Sequence, residues 1–287
     1  MSFNYKEIDT KTLNKLHHVE LEILNEIDRI CVSNNIEYFL IGGTLLGAIR
    51  HKGFIPWDDD LDIAMTRDNY EKFINIAIDE LDSKYYLDNY KTNPNCYLPF
   101  TKVRKNNTIM DEESTSHINN HKGIFVDIFP FDNLKNKDSF FTLLRVVSIL
   151  SITESIFVKK GVYSSFFKAC RYPMLSLVFS VFPVRKLFAI QEKMCKKDDD
   201  SSQYYASLIG SYGFKKECFL KAELFPLIKA PFEGKEYFIF KNYDSFLNSV
   251  YGDYMEIPPK DKRINHSVMN IDFNCENAIK FNSKSNK

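Results

Sequence analysis

The sequence predicts an α+β fold, a mixed or antiparallel sheet backed by helices, carrying a helical insertion of different character. Three observations lead there. Short apolar runs at residues 38–41, 61–65 and 124–129 have the length and the β-branched and aromatic content of buried strands. Two longer segments, 11–32 and 68–81, repeat apolar residues at steps of three and four, the period of an amphipathic helix. From Asp138 to Lys197 the composition turns apolar and basic, and after about residue 203 the mixed pattern resumes.

The elements follow in order. In the first helix Leu16, Val19, Ile23, Ile27 and Ile30 form the inner face, and Asn34-Asn35 ends it. The strand 38–41 runs into Gly42-Gly43, behind which 44–51 reads as a helical turn or short helix. Gly53 and Pro56 break the pattern before the strand at 61–65. Tyr70, Phe73, Ile74, Ala77 and Ile78 are the inner face of the second helix. Strand-like segments follow at 85–90 and 97–104, then a polar loop at 111–122, then the strand 124–129, which Pro130 ends. Near the C-terminus Glu233-Gly234-Lys235 reads as a hairpin turn, 243–250 as a helix closed by Tyr251-Gly252-Asp253, and 282–287 as a disordered tail. The division expected is a catalytic core over 1–137, a helical insertion over 138–203, and a part completing the catalytic domain over 204–287.

Bulk properties narrow the function. At 44% hydrophobic and 26% charged residues the chain is of ordinary globular composition. Its formal charge of zero leaves no electrostatic footprint for nucleic acid. The six cysteines form no C-x-x-C pair, which gives a zinc site little support and suits a reducing cytosol. The polar N-terminus lacks the apolar region of a secretory signal. No uninterrupted run of 18 uncharged apolar residues occurs, so no spanning helix is expected. In the insertion ten lysines and arginines face three acids, a composition shared by interfacial membrane elements and by a helical hairpin with a solvated basic edge. Asp198-Asp199-Asp200-Ser201-Ser202 reads as a polar linker.

The chemistry concentrates in IGGTLLGAIRHKGFIPWDDDLDIAM, residues 41–65. Residues two apart on a strand face the same side, so Asp60 and Asp62 are expected to point together while Leu61 and Ile63 enter the core. Two parallel carboxylates are what a hard divalent cation, Mg2+ or Mn2+, takes from a protein when phosphates supply other ligands. Gly42 and Gly43 would let backbone N–H groups approach those phosphates. Asp127 lies alone among Ile, Phe and Val, where an unpaired charge costs several kcal/mol unless a cation offsets it. Asp58 could join the face and accept a proton from an attacking hydroxyl, and Asp59 should point away. Arg50, and Lys102 with Arg104 on a strand, could hold nucleotide phosphates. His117, His121 and His266 lie in polar segments with no catalytic pattern around them. The pattern points to phosphoryl or nucleotidyl transfer.

These residues, with KVRKNNT at 102–108, GIFVDIFPFD at 123–132 and YGDYMEIPPKDKR at 251–263, resemble the LicD family of phosphotransferases, which is related to fukutin and the fukutin-related protein. The similarity covers about residues 8–135 and 225–268; residues 138–203 match no family motif. It implies a nucleotidyltransferase-like fold and a CDP-linked alcohol as donor, with phosphocholine moved to a sugar hydroxyl of teichoic acid, lipopolysaccharide or capsule. It also implies that Asp60, Asp62 and Asp127 hold the metal and that Gly42, Gly43 and Thr44 lie near the donor phosphates. The acceptor could be lipid-linked, with the enzyme cytoplasmic at the inner face of the membrane. Two other readings use the same residues: a nucleotidyltransferase releasing pyrophosphate from an NTP, and a non-catalytic membrane-associated partner in glycan assembly.

Overall fold

The computed structural model describes residues 8–113, 115–162, 178–179, 181–263 and 268–275. Helix α1 (Thr10–Ser33) begins at Asp9, whose carboxylate accepts the Thr12 N–H at 3.0 Å, a side-chain cap on an orphan donor. Its buried face is Leu13, Leu16, Val19, Ile23, Leu24, Ile27, Ile30 and Cys31, with Glu20 among them. Strand β1 (Phe39–Leu40) leads into α2 (Gly42–Arg50), and β2 (Asp62–Thr66) into α3 (Arg67–Glu80). Then come β3 (Tyr85–Asp88), β4 (Thr101–Lys105), β5 (Ile109–Glu112) and β6 (Phe125–Leu134). The insertion supplies α4 (Phe140–Lys160) and α5 (Val184–Cys195). The C-terminal part supplies β7 (Tyr204–Ala206), β8 (Cys218–Leu220), α6 (Lys221–Leu224), β9 (Ile228–Phe232), β10 (Lys235–Ile239), α7 (Tyr243–Tyr251), a 3-10 turn at Lys260–Lys262 and β11 (Val268–Asp272).

Seven strands form one mixed sheet in the order β1-β2-β6-β4-β3, with β7 added to the far part of β6 and β8 to β7. Only the β2–β6 pairing in it is parallel. This is the α+β architecture expected. The core joins the inner face of α1 to Ile63, Ala64 and Met65 of β2 and Val126, Ile128 and Phe131 of β6, all but inaccessible to water. Each such large side chain contributes about 1.5–3 kcal/mol by burial, so β6 is the strand the fold can least afford to lose.

Several boundaries differ from the sequence reading. Pro130 does not end its strand: β6 continues to Leu134. The reason is a change of neighbours. On one side β4 reaches only Ile128 and β7 begins at Asp132, so Pro130 falls in the gap, where a residue without an N–H breaks no ladder on that edge. The segment 97–104 shortens to β4, because Cys96 N–H turns back to Asn93 O and the chain before Thr101 is irregular. The polar stretch 111–122 begins as part of β5, which pairs with the distant β11, a partner that local sequence cannot reveal. The Glu233-Gly234 turn forms as expected: Phe232 pairs with Lys235, and both turn residues have positive φ (48° and 78°), the mirror-image geometry that suits a twisted hairpin.

In the insertion α4 and α5 pack together. Gln191 donates to Ile149 O at 3.1 Å and to Thr153 Oγ1 at 2.7 Å, which satisfies a buried amide. Among the described residues one helix, α4, is long and apolar enough to cross a membrane by length and composition, and half of that stretch is buried within the fold. It escapes a search for uncharged runs because Arg145 and Glu154 interrupt it. The acids 198–200 do more than link. Asp198 pairs with Arg145 at 3.1 Å, Asp199 with Lys135 at 3.3 Å, and Asp200 accepts from Asn133 at 2.9 Å, clasping the end of the insertion to the end of β6. Lys168 and Arg171 of the basic set, His266, and the tail 282–287 lie outside the described residues.

Candidate active site

The parallel pair β2–β6 sets the centre. Asp62 stands in register with Asp127, and the Asp127 N–H donates to Leu61 O at 3.0 Å. Neighbouring strands lie about 4.8 Å apart, so the two carboxylates emerge side by side. Asp58, Asp59 and Asp60 precede β2 in irregular backbone, so strand alternation does not govern them. An oxygen from each lies within 4.8 Å of the others. Asp59, expected to point away, is fully buried and lines the same cleft as Asp58, Asp60, Asp62 and Asp127. This cleft, of about 940 Å3, is completed by residues of α2, the 209–212 loop and the segment 251–263.

The glycine pair makes room for these acids. Gly42 has φ +60°, and a Cβ there would stand 3.1 Å from Asp62 Oδ2. At Gly43 a Cβ would come 2.5 Å from Asp58 Oδ2, a distance real Cβ atoms do not show. Thr44 is buried and its Oγ1 accepts the Asp62 N–H at 2.8 Å, so it ties α2 to the start of β2 and does not line the cleft.

Of the three basic residues expected at the phosphates, the structure brings two to the acids or their cleft. Lys102, directly across from Asp127 in the β4–β6 ladder, holds it with Nζ at 2.7 Å from Oδ1 and 2.9 Å from Oδ2. Only the Oδ2 contact has hydrogen-bond geometry, which leaves Oδ1 without one. Arg50 lines the cleft, with Nη1 donating to Tyr254 O at 2.7 Å and Nε to His51 at 2.9 Å. Arg104 is a correction. Its Nε donates to Asp88 at 2.6 Å and its Nη1 to Gly123 O at 3.0 Å, deep inside, so its fork is spent on the fold and does not reach the cleft.

Crowded acids resist ionisation. Burial, then the charges of Asp60, Asp127 and Asp58, push the Asp62 carboxyl well above the ordinary range, with Lys102 opposing. Burial also raises Asp127, against the pull of Lys102. An all-oxygen donor set, mutually repelling and partly buried, with an Asp127 oxygen lacking a hydrogen bond, fits a hard divalent cation.

Sequence reasoning missed the opposite wall. Tyr212 and Tyr251 share a hydroxyl–hydroxyl hydrogen bond of 2.6 Å, and the Tyr212 hydroxyl would lie 3.7 Å from a Cβ on Gly42. The Arg263 guanidinium lies 4.1 Å over the ring of Trp57, the residue before the acids, and Lys262 and Arg263 both line the cleft. Tyr251, Lys262 and Arg263 sit in the 251–263 motif, the one signal that could have pointed to them. Tyr212 has no local signal. Glu217 is buried beside this loop, its carboxyl filling the space a Cβ on Gly210 would take, and burial raises it to about 8.

This geometry, a mixed sheet presenting strand-borne carboxylates beside a glycine-opened helix, is that of an α+β domain with an acidic cleft. The sequence profile described as "LicD/FKTN/FKRP, nucleotidyltransferase domain" matches residues 35–148, which contain α2 and Asp58, Asp59, Asp60, Asp62 and Asp127. The chain is 29% identical over 262 residues to the lipopolysaccharide cholinephosphotransferase LicD of Haemophilus influenzae, covering 90% of this chain and 96% of that protein. Uncharacterised proteins of Rickettsia prowazekii and Rickettsia typhi are 44% identical over 48 residues, 17% of this chain and 18% and 16% of theirs. The chain is thus similar to LicD proteins, with the family's model matched over residues 35–148.

Proposed function

We propose that the protein is a phosphotransferase that moves phosphocholine from a CDP-linked donor to a sugar hydroxyl of a cell-surface glycan and releases CMP. The observation that carries this reading is the gathering of Asp58, Asp59, Asp60, Asp62 and Asp127 at one cleft faced by Arg50, Lys262 and Arg263. The relative from Haemophilus supports lipopolysaccharide as the acceptor class; teichoic acid and capsule offer the same hydroxyl chemistry.

In this mechanism Asp60, Asp62 and Asp127 would hold Mg2+ or Mn2+. The bound cation supplies neutralisation of the phosphate charge. Lys102 keeps Asp127 oriented and favours its ionised form. Arg50, Lys262 and Arg263 bind the donor phosphates by charge-assisted hydrogen bonds. The acceptor hydroxyl attacks phosphorus in line; its O–P bond forms as the P–O bond to CMP breaks, and Asp58 takes the hydroxyl proton. The work of the site is positioning and electrostatics.

The reaction belongs on the cytoplasmic side, where CDP-linked donors are made, with the insertion touching the inner membrane face. Phe140, Phe141, Leu143 and Leu144 at the start of α4 are exposed, which supports peripheral contact with a lipid-linked acceptor. Co-sedimentation with anionic liposomes, lost on Phe140→Ser/Phe141→Ser, is the expected result.

The main test is CMP release from CDP-choline, CDP-ethanolamine, CDP-glycerol and CDP-ribitol with Mg2+ or EDTA, beside pyrophosphate release from CTP. Metal-dependent CMP release from CDP-choline, abolished by Asp60→Asn with folding retained, is expected. Pyrophosphate without CMP would move the protein to the nucleotidyltransferases, and undiminished turnover by Asp60→Asn would remove the acids from the mechanism.

A further inference from the structure

The two ends of the cleft differ in chemistry. At one end Arg50, Lys262 and Arg263 offer charged donors, and the Arg263 guanidinium already covers the ring of Trp57 at 4.1 Å. At the other end the wall is Phe100, Phe129 and Ile209, whose side chains carry no hydrogen-bonding group. Register explains why the two phenylalanines meet. Thr101 pairs with Ile128 in the β4–β6 ladder, so the next position outward sets Phe100 beside Phe129. Their ring centroids are 4.5 Å apart at an interplanar angle of 40°. Phe129 lies two residues beyond Asp127 on β6 and shares its face, about 7 Å along the strand. Strand β4 flanks β6 on the side away from β2, so Asp127 and Asp62 stand between this aromatic wall and the start of α2, whose Gly42 adjoins Asp62. Both rings are half-buried, so each keeps surface open to the cleft and forgoes burial the fold could otherwise use. Lys102 Nζ lies 5.7 Å from the Phe100 centroid, but Asp127 holds it at 2.7 Å, so its charge is already paired.

We propose that Phe100 and Phe129 receive the alcohol end of the donor and select a quaternary ammonium group. The inference rests on the phosphotransferase reading above and names what fixes its cargo. The charged end of the cleft suits the diphosphate, and the alcohol beyond the transferred phosphorus then falls on the aromatic side. A trimethylammonium group has no N–H to satisfy, carries a full positive charge and is coated in methyl groups. Ring faces attract it, and the lack of acceptors on this wall costs it nothing. A primary ammonium or a polyol brings N–H or O–H groups that Phe100, Phe129 and Ile209 cannot pair, which leaves those groups unsatisfied. The carboxylates of Asp58, Asp59, Asp60, Asp62 and Asp127 in the same cleft add a negative potential that favours a cation. Phe100 and Phe129 are thus specificity-determining residues: they touch the transferred group and take no part in the proton or phosphorus chemistry.

The test compares phosphocholine with 3,3-dimethylbutyl phosphate, an isostere with a neutral carbon in place of the nitrogen. Both are titrated calorimetrically into the full-length protein with Mg2+ present. The wild-type protein should bind phosphocholine about fivefold or more tightly, the scale of a cation–π contact. Phe129→Leu and Phe100→Leu keep an apolar side chain but remove the ring, and each should bring the ratio to within about twofold of one, whereas Phe129→Tyr should keep it. In parallel, kcat/KM for CMP release should favour CDP-choline over CDP-ethanolamine, and the leucine variants should erase that preference. Equal binding of the two probes by the wild type, or no binding of phosphocholine, overturns the proposal whether or not a variant folds. A ratio unchanged in whichever leucine variant folds also overturns it. If the binding ratio behaves as expected but no CDP-alcohol releases CMP, the proposed function fails and the aromatic site stands.

Discussion

Replacing Lys102 by methionine isolates the balance on which the cleft rests. Lys102 and Asp127 are 7% and 10% exposed and lie 2.7 Å apart, so this pair is barely screened by solvent. Methionine fills most of the volume but leaves a buried carboxyl beside Asp62 with its cation gone. Breaking a buried pair from one side costs about 3–5 kcal/mol. For a chain of this size that is on the order of 6–15 °C in melting temperature. The pH dependence has a definite sign. Asp127 is raised above its ordinary value even with Lys102 present. The folded state therefore holds its proton more tightly than the unfolded one, so stability is greatest below the unfolded carboxylate value. It falls as pH rises through the folded value. Without Lys102 the folded value moves up further, so the deficit of the variant should be small near pH 4 and full near pH 8. Urea denaturation of both proteins across that range, with EDTA and then with Mg2+, is the assay. Added Mg2+ should recover part of the loss if the acids take a cation. A variant that loses less than about 1 kcal/mol at pH 8, the scale of an exposed ion pair, with no dependence on pH, would refute the argument.

Three other outcomes are expected. Gly43→Ala should lower turnover at least tenfold while the melting temperature moves little, because its Cβ would displace Asp58, 2.5 Å away, which steady-state CMP release would show. Tyr212→Phe should break the hydroxyl pair with Tyr251 at a net cost near 1 kcal/mol and reduce turnover more than it changes KM for the donor. Glu217→Gln should flatten the pH dependence of stability between the ordinary glutamate range and about 8: the raised carboxyl favours the fold below that window and loses this contribution as pH rises through it. Melting curves at pH 5 and pH 8.5 would show the variant gaining on the parent at the higher pH.

Much of the fold was legible because its signals are local. The periodicity that places Leu16, Val19, Ile23, Ile27 and Ile30 on one face needs only one helix, and the Glu233-Gly234 turn needs only four residues. Where the reading failed, the deciding partner was far away in sequence. Pro130 stays in a strand because β4 and β7 hand over at that point, and residues 109–112 become a strand because β11 arrives from beyond residue 267. Arg104 carries the same lesson for the site. On a strand beside Lys102 it has the right face and the right charge, but Asp88 on the neighbouring strand claims it.

The acids divide along the same line. Asp62 and Asp127 were legible because strands hold them and register puts them opposite each other. Strand alternation predicts Asp60 beside Asp62 and Asp59 facing away, whereas the structure leaves Asp58, Asp59 and Asp60 in irregular backbone. What fixes that segment instead is tertiary: His17 on the Asp58 carbonyl, Thr44 on the Asp62 N–H, and the two glycines that admit the carboxylates to the start of α2. A catalytic loop held by contacts from α1 and α2 is more sensitive to those helices than to its own sequence. His17→Ala should therefore impair the cleft without touching it. The expected signature is a fall in kcat with the donor KM nearly unchanged and a melting loss within a few degrees, because one hydrogen bond of about 1 kcal/mol is removed from a segment whose geometry the chemistry needs. If His17→Ala kept full kcat, the His17 contact would not be what positions Asp58 for the chemistry.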